Sequence, residues 1–210
     1  MNRKKVFDFL KTLLIVSFAT LLFAVAVCCY IYAGLGSDSV SVFQEGLSKA
    51  IGCSLGTAAY LYSISFLILD FFISRKNIGW ATVINSFLLG LCIKLVQWAM
   101  EPVFTFSDHL AYRIALLAAG ILLVSVSCVM LIRTNRGKNA LDAVAWGLSE
   151  KLRLPYRVAR IIVDALMMLI GWLLGGVVGL GSIFAVFLTG PIIQFLNKTA
   201  DKLKAKKQEK

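Results

Sequence analysis

Between Ala165 and Asn197 the chain carries no charged residue, and the apolar run from Ala165 to Phe195 is broken by Gly171, Gly175, Gly176, Gly179 and Gly181. As one α-helix the run would be roughly 50 Å long, against a hydrocarbon core of roughly 30 Å. It is therefore expected to double back at its glycines as two antiparallel spans. The rest of the chain is similarly apolar: 59% of its 210 residues are hydrophobic and its mean hydropathy is +0.83. Such a composition excludes an ordinary soluble domain and indicates a polytopic membrane protein. The net charge of +11 does not point to nucleic acid. Its basic residues gather at Arg3, Lys4 and Lys5, in short connections, and in the tail from Lys198 to Lys210, the distribution that the positive-inside rule leaves behind.

Six spans fit the pattern: about Leu10 to Ala33, Leu55 to Ile73, Ile78 to Met100, Ile114 to Ile132, Val158 to Leu174 and Val178 to Asn197. The first run is too long for a signal peptide and reads as a span that stays. Nearly all Lys and Arg fall on one side: the N-terminus, Ser74 to Asn77, Arg133 to Arg160, and the C-terminus. Both termini are therefore expected to be cytoplasmic. Two connections are more than loops. Asp38 to Gly52 and Asn139 to Leu154 each repeat apolar residues at three-four spacing, and each contains Gly-Leu-Ser, at Gly46 and at Gly147. Both read as short amphipathic helices that lie at the interface or dip into the protein.

The chain also echoes itself. Gly36 to Leu95 aligns with Gly137 to Leu196 with one single-residue gap, and Gly79 to Gly90 reads like Gly179 to Gly190. Each half is one span, a glycine, an amphipathic helix and two linked spans. With an odd number of spans per half, the halves must lie in opposite orientation. The expected fold is an all-α membrane protein: six transmembrane helices as two inverted three-helix repeats, each with a short amphipathic helix. It would form one membrane domain over 1–210, with halves at about 8–100 and 111–198 and a basic cytoplasmic tail, 199–210. Many secondary transporters have this plan, with the solute site at the repeat interface.

Gly137-Lys138-Asn139-Ala140-Leu141-Asp142, then Arg160 and Asp164, then Gly171 to Ser182, then Gly190-Pro191, resemble the YczE/YyaS/YitT family of bacterial integral membrane proteins. The resemblance spans nearly the whole chain and is strongest from Gly137 onward. Ser182 stands where the family usually has threonine, and Lys138 and Asn139 replace a proline-containing stretch. The resemblance implies a bacterial inner-membrane protein of about six spans, often suspected of transport, and supplies no substrate.

Ionisable residues within a bilayer are costly and so are informative. Arg160 and Asp164 are four apart, on one helix face, able to pair. They serve either as a polar site or gate element, or as a structural ion pair. Asp70 is expected to pair with a nearby basic residue at the interface, and Lys94 to snorkel. Asn85, Gln97 and Gln194 are uncharged polar residues within spans. Asn85 and Gln194 are candidates for a solute path or for interhelical hydrogen bonds. Asp38 and Asn139 begin the amphipathic helices and Asp142 lies in the first turn of the second. They act as caps, or hold these helix starts at a binding cavity. Gly171, Gly175 and Gly179 repeat every four residues, a small-residue seam for close helix approach, while Gly176 and Gly181 belong to the turn. Pro191, after Gly190, should kink the last span.

Cys28, Cys29, Cys53, Cys92 and Cys128 have no metal-binding spacing, and His109 is the single histidine. No metal, cofactor or nucleic-acid partner is expected, and no catalytic motif is present. The expectation is a small-solute transporter or permease in the bilayer, as a homodimer or with a membrane partner. The alternative is a non-transporting accessory or scaffold protein, or a substrate-binding subunit of a larger transporter.

Overall fold

A computed structural model describes the backbone of residues 3–73, 79–102, 109–134 and 139–208, and the side chains of these except 3–6 and 203–208. Among the described residues the chain is all-α, with eight helices: α1 (Arg3–Ala33), α2 (Ser39–Ile51), α3 (Leu55–Ile73), α4 (Trp80–Met100), α5 (Leu110–Thr134), α6 (Ala140–Leu152), α7 (Tyr156–Leu173) and α8 (Leu180–Gln208). Five of them are long and apolar enough to cross a membrane, at Phe7–Ala33, Leu55–Ile73, Trp80–Met100, Leu110–Thr134 and Leu180–Lys202. These are the helices of a multi-pass membrane protein. The sixth expected span falls on α7. α7 has 18 residues but carries Arg157, Arg160 and Asp164, so by composition it is not one of the five.

The apolar C-terminal run does divide into two helices. α7 ends at Leu173 and α8 begins at Leu180. Gly175 and Gly179 fall in the connection, so they are not part of a helical seam, and only Gly171 of the three lies on a helix face. Gly175 has φ +96°, a left-handed turn conformation that favours glycine. α8 continues through Pro191 and through the basic tail to Gln208, so the tail is a helical extension.

α1 and α5 form the central pair. They are antiparallel: Arg113, near the start of α5, donates to the Ala33 and Gly34 carbonyls at 2.6 and 2.7 Å, and Ser127 donates to the Ala19 carbonyl at 2.7 Å. Arg113 thus caps carbonyls left open at the end of α1. α4 packs on α1, and α8 on α5. Arg133, at the far end of α5, reaches the Asn197 carbonyl at 2.8 Å and Asp201 at 2.6 Å. α3 and α7 form the other side, and both short helices pack against both of them. α3 also packs along α4, whereas α7 and α8 share little contact among the described residues.

α2 and α6 are built alike. Each has 13 residues and follows an extended cap residue, Asp38 or Asn139. Each ends on a left-handed residue, Gly52 (φ 71°) or Arg153 (φ 53°). In each, a serine hydroxyl then donates to the carbonyl five residues on, Ser48 to Cys53 and Ser149 to Leu154, both at 2.6 Å. Arg153 carries a steric cost that Gly52 does not. Arg153→Gly is expected to stabilise the protein by about 0.5–1 kcal/mol, read as a raised Tm in detergent.

Candidate functional site

The two short helices meet α7 in opposite directions. Ser39 of α2 donates to Asp164 at 2.5 Å, and seven residues later Gly46 lies against Gly171. α2 therefore runs parallel to α7, away from Asp164. Asp142 of α6 pairs with Arg160, and four residues later Trp146 stacks on Tyr156 at 4.7 Å. α6 therefore runs antiparallel to α7, away from Arg160. The N-termini of α2 and α6 thus converge on a single turn of α7. That turn lies near the middle of the helix, with Asp164 about 12 Å from Tyr156 and about 14 Å from Leu173 at 1.5 Å per residue.

Within the turn, Arg160 bridges two carboxylates. Its Nε donates to Asp164 Oδ2 at 2.7 Å, and its other arm pairs with Asp142. The Tyr156 hydroxyl donates to the same Asp142 oxygen at 2.8 Å. Asp38, just before α2, accepts from Ser41 at 2.6 Å. Three carboxylates therefore surround one guanidinium, with two helix N-termini each adding roughly half a positive charge. These charges sum to about −1, so the turn keeps a net negative charge with every member present. Arg160 remains 32% exposed and Asp142 and Asp164 24%.

A neutral hydrogen-bond chain adjoins this turn. Thr20 of α1 donates to Asn85 of α4 at 2.6 Å. The Asn85 amide reaches Asn139 at 3.4 Å, and Asn139 caps α6 by accepting from the Ala140 N–H at 3.1 Å.

The structure therefore brings together Arg160, Asp164, Asp142, Asp38, Asn139 and Asn85. Gln194 is separate: it is exposed on α8 and does not join the cluster, because the side of α8 that packs on α5 is another one. A methyl group added at Gly190 would meet nothing within 4 Å, and both Gly190 and Pro191 are exposed. Asp70 is fully buried rather than at an interface, and neither carboxylate oxygen has a partner among the described residues; its expected basic neighbour, Arg75, lies outside them. Lys94 is exposed, in keeping with snorkelling. Sequence reasoning missed Ser39 and Tyr156. The stripe Tyr156, Arg160, Asp164, at spacing four on one face of α7, was a usable signal for the tyrosine; nothing marked Ser39.

Residues 10–198 match the family of unknown function DUF6198. The chain is 24% identical to an uncharacterized protein of Haemophilus influenzae over 185 residues, covering 88% of this chain and 83% of that one. It is 22% identical to the uncharacterized protein YyaS of Bacillus subtilis over 173 residues, covering 82% of this chain and 86% of that one. YyaS is one of the three names in the resemblance drawn from the motifs; the other two do not arise in these matches. No solved structure matches the chain. With the match running from the first long helix to the last, the chain belongs to the family of unknown function DUF6198.

Proposed function

We propose that the chain is a small-solute carrier of the bacterial inner membrane, built from two inverted three-span halves, with its solute passing the Arg160–Asp164 turn. The observation that carries this reading is the convergence of α2 and α6, N-terminus to N-terminus, on a charged turn at the middle of α7. Short helices aimed at a mid-membrane site are how inverted-repeat carriers hold solute.

Further support comes from matched packing. α1–α4 corresponds to α5–α8, α2–α7 to α6–α3, and α2–α3 to α6–α7, while α1–α5 pairs with itself. The equal lengths of α2 and α6 and their matching left-handed C-terminal caps fit the same symmetry, although the Asn139 side chain caps its helix and the Asp38 side chain does not. In this reading α7 is the sixth span, its charges turned toward α2 and α6, and the basic connections put both termini in the cytoplasm. The bonds Ser39–Asp164 and Asn85–Asn139 tie the two halves together, and Arg160–Asp142 holds α6 on α7 within the second half. A solute or proton that competes for the Asp164 carboxylate loosens that tie, which is the step a carrier needs. No chemistry on the solute is part of the reading.

A second reading has one observation in its favour. The halves differ where α3 packs along α4 but α7 and α8 share little contact, leaving Ile183, Phe184 and Phe187 exposed. That face suits a second copy or a partner helix, as in an accessory subunit.

The experiment is a thermal-shift screen of the purified full chain against a metabolite library, with hits taken to uptake assays in proteoliposomes. A bound solute raises the apparent stability of the native state. The expected hit stabilises the native protein, crosses the membrane, and does neither with the combined variant Asp142→Asn, Arg160→Met, Asp164→Asn. Uptake that survives in that variant removes the site. Absence of any hit or uptake, with a membrane protein co-purifying in fixed ratio, favours the accessory reading.

A further inference from the structure

α8 has the least support from the rest of the bundle. Among the described residues α5 is the one helix that it packs along to any extent. Beyond that, the Gly181 N–H donates to the Leu35 carbonyl at 2.9 Å near its start. Arg133 grips its far end through the Asn197 carbonyl at 2.8 Å and Asp201 at 2.6 Å.

The side of α8 turned away from α5 carries a continuous stripe. Phe184, Leu188, Pro191, Phe195, Lys198 and Lys202 recur at alternating spacings of four and three, which places them on one helix face. All six are exposed. The stripe is apolar over its first four residues and cationic over its last two.

Depth gives each part its surroundings. α8 has 29 residues, roughly 43 Å at 1.5 Å each. The hydrocarbon core is roughly 30 Å thick, with a polar layer of about 5–7 Å on each side. Counted from Leu180, the hydrocarbon ends near Ala200 and the polar layer near Lys204. Phe184 to Phe195 therefore lie at the depth of acyl chains. Lys202 lies at the depth of lipid phosphates, and Lys198, half a turn below the boundary, reaches the same layer along its four-carbon stem.

Charge decides the headgroup. Residues 198–208 hold five lysines and one acidic residue, Asp201, and Asp201 is taken by Arg133. Neither Lys198 nor Lys202 forms an ion pair among the described residues. A headgroup with net negative charge supplies the counterion that these lysines lack. A zwitterionic headgroup does not, because its own cation answers its phosphate.

We propose that this stripe is a binding site for an anionic phospholipid, with the phosphate on Lys198 and Lys202 and the acyl chains along Phe195, Leu188 and Phe184, and that the bound lipid holds α8 against α5. The site needs the chain to lie in a bilayer; it does not rest on the carrier reading.

The test uses the full chain, purified in a neutral detergent and stripped of lipid. Native mass spectrometry reads binding and thermal unfolding reads stability. The probes are phosphatidylglycerol, phosphatidylcholine with the same acyl chains, and glycerol 3-phosphate, which carries the phosphate without chains. The expected result is saturable binding of phosphatidylglycerol with a rise in Tm, and neither from the other two. Raised salt should weaken that binding. Lys198→Gln with Lys202→Gln should weaken it about tenfold or more and abolish the rise in Tm. Lys11→Gln with Lys151→Gln, an equal loss of charge elsewhere, should change neither. Equal binding of phosphatidylcholine, glycerol 3-phosphate binding as tightly as the lipid, or the same loss in both double variants overturns the site. Binding without a rise in Tm overturns the hold on α8. A chain that takes up no phosphatidylglycerol and appears as a dimer assigns the stripe to a second copy, and overturns the proposal as well.

Discussion

Arg160→Met is expected to destabilise the protein by about 2–3 kcal/mol, somewhat under the 3–5 typical of a fully buried broken pair. The discount reflects the 24–32% exposure of the partners, which lets solvent moderate the loss. The cause is not the missing contact but what it leaves: Asp142 of α6 and Asp164 of α7 lose their shared cation and repel between the two helices. The sharper expectation is non-additivity. Adding Asp142→Asn and Asp164→Asn to Arg160→Met should recover most of the loss, because no uncompensated charge then remains. Thermal unfolding of the single and triple variants beside the parent in one detergent measures this directly. A triple variant as unstable as the single one would mean that Arg160 acts through packing rather than charge. The same set decides between strut and site: a refolded triple variant that no longer moves solute assigns the cluster to function, and one that does assigns it to structure.

Much of this arrangement was legible in the residues themselves. α3 begins and ends where its apolar run does, and both amphipathic helices fall inside the segments their periodicity marked. The Arg160–Asp164 pair followed from spacing alone, because residues four apart on a helix are neighbours. Asp142 joining that pair did not, since the contact spans 18 positions and depends on α6 folding back along α7. Gln194 failed for a different reason. α8 is apolar nearly all round through its first five turns, so its sequence carries no periodic sign of which face is inside. α7 is legible by contrast, since its buried residues Ala159, Val163, Met167 and Gly171 recur every four and its polar members sit beside them. Asp70 shows the limit of reading charge by proximity. A basic residue nearby in sequence predicted an interfacial position, yet the helix turns the carboxylate inward, with no partner among the described residues.

The glycine motif of the C-terminal run should split into three kinds of residue when each is changed to alanine, although it reads as one motif. Gly171 lies where α2 crosses α7, and a methyl there would sit 2.7 Å from both the Phe43 N and Cα. Those are backbone atoms of a packed helix and cannot swing aside. Gly171→Ala should therefore cost about 3 kcal/mol, the upper end of ordinary overpacking, and Gly171→Val should prevent stable folding. Gly175 has room for a methyl, in ordinary contact with the Lys49 Cδ at 3.8 Å, but φ +96°, so Gly175→Ala should cost about 1–2 kcal/mol through backbone strain alone. Gly190 has neither constraint: nothing lies within 4 Å, its φ is not left-handed, and it is inside α8. Gly190→Ala should leave stability unchanged or raise it by up to about 1 kcal/mol. The midpoints of the three alanine variants, compared in one detergent, should fall in that order. The order has a functional corollary, because Gly46 and Gly171 bring α2 against α7 and that contact sets Ser39 on Asp164. A Gly171→Ala protein that still folds should therefore lose the Ser39 hydrogen bond before it loses its helices. Solute affinity would then fall at temperatures where helical content by circular dichroism is intact. If affinity and helicity fall together, the seam holds the fold as a whole and does not specifically position the charged turn.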